Sequence, residues 1–510
     1  MRVVEYFSGK NIFITGGSGF LGKVLIEKLL RSCEGIGNIY VLLRSKKGKS
    51  IEERLTYIKR LPLFDKLRET NPDVFKKLIP INGDVMELKL GMSEKDRQLI
   101  IDKVHIVYHT AASVKFDDPL KYAIIVNVRG TRELVELASE LKNLSLLVHV
   151  STAYCNCDKM VVDEILYPAP ADWRDAIRMA EEMDDAFINT FSEKYINPLP
   201  NTYTFAKALG EHVVTDMCKG KLPAAIVRPT VVISAVAEPL PGWIDNFNGP
   251  VGLLVAGGKG ILRTVLGNED CIQDFIPVDT VANALILTAT AKNAKGNIDE
   301  VDIYHASKQD KTPLTTGEMM KMGTRLIWDS PFSEILWYPR FSMTKCWYNY
   351  YIQVILFHML PAFFIDTLLR IFGRKPMLFS IQRKVYIANV VLEHFVNHTW
   401  TFIHTKAVGL LDLLEDDEKD IFGLQEKHEN MDEQTCFEYF RNGKIFGACF
   451  ILKEKFDFTR TESLKNLKRL WIIDIVAKTI FLSMLMWIVF IKIDILRVLY
   501  TSFEKYITNL

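Results

Sequence analysis

The stretch from Asn11 to Leu30 constrains the fold of this chain more than any other. An apolar run at 11–15 (N-I-F-I-T) leads directly into Gly16-Gly17-Ser18-Gly19-Phe20-Leu21-Gly22, and residues 23–30 then repeat apolar side chains at helical spacing. Strand, glycine turn and helix in that order open a parallel sheet. The three spaced glycines permit a tight turn and let N–H groups at the helix N-terminus approach a pyrophosphate. Further apolar runs at 39–43, 79–81, 106–108, 146–150 and 225–227 alternate with helix-length stretches such as 128–142 and 204–217. These strands are too continuously apolar for a sheet with one wet face. The expected class is therefore α/β, a doubly wound parallel sheet covered by helices on both sides.

The end of the second strand discriminates between nucleotides. An NAD site would place an acidic residue there for the ribose 2′-OH, whereas this chain has Arg44, Ser45, Lys46 and Lys47, suited to a 2′-phosphate, so NADPH is the expected cofactor. Asp84, after the third strand, can accept from an adenine amino group, and Ala111 and Ala112 are small enough to pack under an adenosine. Asn127 is read as beginning a helix (N-V-R-G-T), either as a simple cap or as a side chain that fixes a neighbouring kink or a relay water. The basic cluster is local: 63 Lys and Arg against 62 Asp and Glu leave a net charge of +1, which argues against nucleic acid as a partner.

Tyr203 and Lys207 (Y-T-F-A-K) are four residues apart and share one face of a helix, where an ammonium lowers the cost of forming a phenolate. Such a tyrosine serves as acid or base. Thr152, with Ser151 as the alternative, lies at the end of the fifth strand and can supply a second hydrogen bond to a reacting carbonyl. Together with the glycine turn, these residues point to a carbonyl reductase. Glu393, His394 and His398 have two histidines on one helix face but no convincing further ligands, so no metal is expected. Eight sparse cysteines without a Cys-x-x-Cys pair read as reduced thiols.

The first 290 or so residues resemble an extended short-chain dehydrogenase/reductase with a Rossmann-type sheet, and within that superfamily the fatty acyl-CoA reductases. The matching segments are 15–23 (T-G-G-S-G-F-L-G-K), 38–44, 108–117 (Y-H-T-A-A-S-V-K-F-D), 149–154, 203–210, 226–232, 276–279 (I-P-V-D) and, most specifically, 241–250 (P-G-W-I-D-N-F-N-G-P). The resemblance implies catalysis by Thr152, Tyr203 and Lys207. It also implies NADPH contacts from Thr15, Gly16, Gly17, Ser18, Gly19, Phe20, Leu21, Gly22, Arg44, Asp84, Ala111, Ala112, Asn127, Lys207 and Pro229. The implied reaction takes a long-chain acyl-CoA with two NADPH through a bound aldehyde to a primary alcohol. Ser18, Ala206 and Gln273 depart from commoner family residues without removing a catalytic group. The insert at 158–200 resembles a lid over a long substrate. The other readings are a membrane-attached steroid dehydrogenase of the same superfamily and a non-catalytic nucleotide sensor on the same fold.

The strand–helix alternation fades after about 330, so the chain divides into a reductase domain at 1–340 (core about 10–290), a helical domain at 341–455 and a transmembrane or membrane-anchoring segment at 470–491, with an interfacial helix or hairpin and a buried helix of the second domain as its other readings. The last segment follows from composition as well: only Asp474 and Lys478 are charged in it, and a bilayer needs about 20 apolar residues. Its heavier basic flank (Lys453, Lys455, Arg460, Lys465, Lys468, Arg469) places the catalytic side in the cytosol. Residues 1–10 show no secretory signal, and Thr508-Asn509-Leu510 is not a Ser-Lys-Leu address, leaving the endoplasmic reticulum or the peroxisome membrane. A second apolar stretch, 351–365, is interrupted by His358 and Pro361 and reads as core or a membrane-resting surface. The acidic run 412–420 reads as a solvated helix start. The sequence leaves oligomeric state open.

Overall fold

The computed structural model describes residues 2–46, 48–247, 250–295, 298–308, 313–424, 433–454, 461–488 and 495–508. Lys47, Lys455 and Arg460, part of 241–250, the end of the segment 470–491, and Asn509 and Leu510 lie outside the described residues.

Seven parallel strands form one sheet: β1 (Ile12–Thr15), β2 (Ile39–Leu43), β3 (Leu78–Asn82), β4 (Ile106–His109), β5 (Leu146–Val150), β6 (Ala224–Pro229) and β7 (Asp302–Ala306). Their order is β7-β6-β5-β4-β1-β2-β3. Every residue of β1, β2, β4, β5 and β6 is buried, which is why their sequences run apolar without alternation, while the edge strand β3 is partly wet. The order reverses at β1, whose neighbours are β2 and β4. A crevice therefore opens at the carboxyl end between β1 and β4, where ligands of open parallel sheets bind.

Helices cover both faces. α1 (Phe20–Ser32) packs with α5 (Val278–Lys295) on one side, and α3 (Leu120–Glu140) with α4 (Thr202–Cys218) on the other. α2 (Ile51–Lys59) flanks β3. Asn127 does not begin a helix: α3 starts at Leu120 and passes through a π turn at Ile125–Arg129, with Asn127 in its middle.

Beyond residue 341 the chain is mainly helical: α6 (Trp347–Ile371, with a π turn at Ile355–Met359), α7 (Leu378–Val396) and α8 (Thr461–Trp487) are its longest helices. This region is knitted into the sheet domain. Thr401–Phe402 pairs with Val161–Val162, and Ala407, Leu410, Leu414 and Phe422 share a core with α1 and α5. The acidic run supplies the first turn of a helix at Asp416–Phe422 as expected, but Glu418 is buried and accepts from the backbone N–H of Val3 at 2.8 Å. The insert at 158–200 is folded too, with helices at Trp173–Glu182 and Asp185–Ile196 packed on α3 and α4.

Candidate active site

The glycine turn is built for close approach. Gly16 has φ +76°, and a Cβ there would stand 2.5 Å from the Ala111 nitrogen; a Cβ on Gly22 would stand 2.4 Å from the Gly16 carbonyl oxygen. Gly19 caps α1 without any side-chain acceptor, so the first-turn N–H groups are left for a ligand. In front of the turn lies a cleft of about 290 Å³, lined by Gly16, Ser18, Gly19, Arg44, Lys46 and Arg54 on one side and by Asp84, Ala111, Ala112 and Ser113 on the other. This cradle fits a dinucleotide: its glycines admit the pyrophosphate and its basic rim faces the ribose.

Thr15, Gly17, Phe20, Leu21, Gly22, Asn127, Lys207 and Pro229 are not lining residues of that cleft. The Thr15 hydroxyl is engaged by His109 Nδ1 at 2.6 Å, pinning β1 to β4. Asn127 clamps the backbone of Ser113, accepting from its N–H at 2.9 Å and donating to its carbonyl at 3.0 Å. Pro229 is buried at the end of β6. Arg44 donates to Asp84 at 2.9 Å, and Asp84 also accepts from the Met86 N–H at 3.1 Å, so both oxygens are engaged. Arg54, which sequence reasoning missed, donates to the Arg44 carbonyl and to Ser18 Oγ, the latter at 3.3 Å. The only sequence signal for it was a basic residue near the start of α2.

Deeper in, the carboxyl end of β5 and the first turns of α4 bring Thr152, Tyr203 and Lys207 together. α4 starts where it does because Asn201 caps it, accepting from the Thr204 N–H at 2.9 Å. The Thr152 side chain lies close enough to the Tyr203 hydroxyl to favour its ionised form. Lys207 is buried and donates to the Val150 carbonyl at 2.7 Å; burial lowers its pKa to about 8, against the opposing pull of Glu211 one turn away. The expected lowering of Tyr203 is corrected: burial raises the phenol above its usual value, and Thr152 offsets this only in part. At rest Tyr203 is a neutral proton donor. Beneath it, His109 and His149 lie 5.2 Å apart, both kept neutral by burial and by the charge of Lys207, His109 down to about 3.

An aromatic wall encloses the tyrosine. Phe116 stacks on Tyr203 at 5.5 Å and contacts Phe395 of α7 at 5.1 Å; Phe395 meets Tyr154, which in turn meets Trp400 and Phe402. The helical region thus reaches the pocket around Tyr203, which no sequence spacing announced. Two family departures are put to use: Ser18 receives Arg54, and Gln273 donates to the Phe395 carbonyl at 3.0 Å. The segment 241–250 is a joint. Asp245 pairs with Lys23 of α1, and Trp243 is fully buried against Phe446 and Phe450. All eight cysteines are free thiols, and among the described residues no group of His, Cys, Asp and Glu is placed to hold a metal.

Fold and site define an oxidoreductase with a Rossmann-type domain for a nicotinamide cofactor. A family model described as male sterility protein, its NAD-binding part, matches residues 14–285, and its Sterile counterpart, with the same description, matches 357–454. Fatty acyl-CoA reductase 1 of Homo sapiens is 37% identical over 455 residues, covering 89% of this chain and 87% of that one. Fatty acyl-CoA reductase wat of Drosophila melanogaster is 35% identical over 482 residues, covering 94% and 92%. The chain belongs to the fatty acyl-CoA reductase family. Among solved structures, the terminal R domain of the myxalamid PKS-NRPS pathway has the same fold, with a TM-score of 0.56 at 19% identity over 86% of this chain and 90% of that one.

Proposed function

We propose that the protein reduces a long-chain acyl-CoA to a primary fatty alcohol and CoA through a bound aldehyde, with NADPH as reductant. The observation that carries this reading is the convergence of Thr152, Tyr203 and Lys207 at the carboxyl end of β5, beside the Gly16–Gly22 cleft, in a chain of this family. NADPH when bound supplies the hydride. Arg44 and Arg54 are suited to its 2′-phosphate, which would take the place that the Asp84 carboxylate holds at Arg44.

The residues do the rest. Thr152 and Tyr203 donate hydrogen bonds to the oxyanion that develops on the thioester carbonyl. Loss of CoA as its thiolate, which takes a proton from water, leaves an aldehyde; in its reduction, with the hydride from a second NADPH, Tyr203 gives its proton to that oxygen. Lys207 would hold the nicotinamide ribose and would offset the charge left on the phenolate. Phe116 and Phe395 keep water from the reacting carbon. α8 exposes most of its apolar side chains and anchors the enzyme, with the catalytic part in the cytosol, at the endoplasmic reticulum or peroxisome membrane.

Replacing Tyr203 by Phe tests the reaction. NADPH oxidation with palmitoyl-CoA should fall at least about 100-fold, the range for losing a positioned proton donor, while NADPH binding by fluorescence persists. Retained turnover would overturn the assignment. Gas chromatography of the wild-type products should give alcohol rather than free aldehyde.

A further inference from the structure

α6 is long and apolar enough to cross a bilayer, yet it is held along its length by the protein. Tyr350, Val354, His358, Ala362 and Asp366, spaced every four residues, are all buried. A four-residue stripe drifts around an ordinary helix, and the π turn at Ile355–Met359 brings it back into line. This stripe packs on α7 and on the strand Thr264–Leu266. Asp366 fixes the turn into α7 by accepting from the N–H groups of Met377, Leu378 and Phe379 at 3.0, 3.0 and 2.9 Å. The outer face of the same helix carries Tyr348, Ile352, Ile355, Phe363, Phe364, Leu368, Ile371 and Phe372, all exposed; Phe364 is 62% and Phe372 76% accessible.

We infer that this outer face is a second membrane surface, lying in the interface of an anionic bilayer without crossing it. Charge supports that occupant: from Trp347 to Leu392 the basic residues Arg370, Arg374, Lys375, Arg383 and Lys384 are all exposed, and the one acidic residue, Asp366, is buried. Continuity supports it as well. The Arg263 backbone N–H donates to His358 of α6 at 3.2 Å, while its guanidinium donates to Asp474 of α8 at 3.2 Å, and Trp337 Nε1 donates to the same carboxylate at 2.7 Å. One residue of the reductase body thus joins both apolar helices, so that insertion of α8 lays α6 on the lipid. The inference rests on the proposed membrane attachment through α8.

The test uses the full chain in vesicles of phosphatidylcholine and phosphatidylserine, in a Cys346→Ser background, since Cys346 is the exposed cysteine. An environment-sensitive fluorophore is attached to Phe364→Cys, Phe372→Cys, Leu482→Cys on α8 or Tyr57→Cys on α2, all exposed positions. Labels at 364 and 372 should shift to the blue and be quenched more by spin-labelled lipid near the headgroup than by deep acyl-chain quenchers, consistent with burial of about 5–10 Å. The label at 482 should show the reverse and the label at 57 neither. Omitting phosphatidylserine should weaken the shallow quenching. Unquenched labels at 364 and 372 beside a deeply quenched 482 would overturn the second surface and leave the anchor standing. An unquenched 482 would overturn the anchor itself. Protection of 364 in detergent that grows with protein concentration would overturn the inference in favour of a second copy of the chain.

Discussion

Glu211 and Arg228 form a buried ion pair one helical turn below Lys207, and its removal has a calculable cost. The pair is bidentate at 2.7 and 2.7 Å, with Arg228 fully buried, and the guanidinium also donates to the carbonyls of Asp163 at 3.2 Å and Ile165 at 3.0 Å. Glu211→Gln leaves the guanidinium unbalanced in the core, a loss of about 3–5 kcal/mol. Arg228→Met strands the carboxylate instead, at a similar cost. The double variant buries no charge and forfeits mainly the two carbonyl contacts, about 1 kcal/mol each. It should therefore be more stable than either single variant, which urea unfolding followed by tryptophan fluorescence measures. The same carboxylate raises Lys207, whose pKa lies near 8 against an ordinary 10.5. With a depressed folded-state value, the unfolded chain binds more protons between those limits, so this lysine's contribution favours folding as pH rises through that window. NADPH, an anion, should bind the protonated form better and weaken as pH rises through about 8. Glu211→Gln should move that midpoint lower. Additive stability losses in the double variant, or an unmoved midpoint, would refute the reasoning.

Two further outcomes follow from the cleft. Arg44→Ala should raise the KM for NADPH about 10- to 100-fold, the range for one charge-assisted hydrogen bond, while leaving the KM for NADH nearly unchanged; equal effects on both would remove Arg44 from the 2′-phosphate site. Gly22→Ala should abolish dinucleotide binding, because the new Cβ meets the Gly16 carbonyl at 2.4 Å and forces open the turn; isothermal titration with NADPH reads this directly.

What the sequence disclosed and what it hid follow a physical division. The strands were legible because burial on both faces leaves continuous apolar runs, and Tyr203 with Lys207 because a helix turn makes a local spacing into a shared face. Arg54 was hidden because it reaches Ser18 from a helix 36 residues away, and no periodicity marks such a pairing. Phe395 reaches Tyr203 through Phe116, and that proximity is a property of the folded chain alone. The misreading at Asn127 has a different cause. N-V-R-G-T looks like a helix start because Asn is a favoured cap, but the helix already runs from Leu120, and Gly130 lies inside it where a Cβ would meet the Val85 carbonyl at 2.7 Å. The close packing of α3 on that loop selects glycine, and the π turn turns Asn127 toward Ser113. An Asn inside an apolar periodic run is thus better weighed against the length of that run before it is taken as a helix start. The same caution applies to α6, where composition alone could not separate core from membrane surface. The buried stripe from Tyr350 to Asp366 shows that the inner face of this helix is core, while its outer face is exposed.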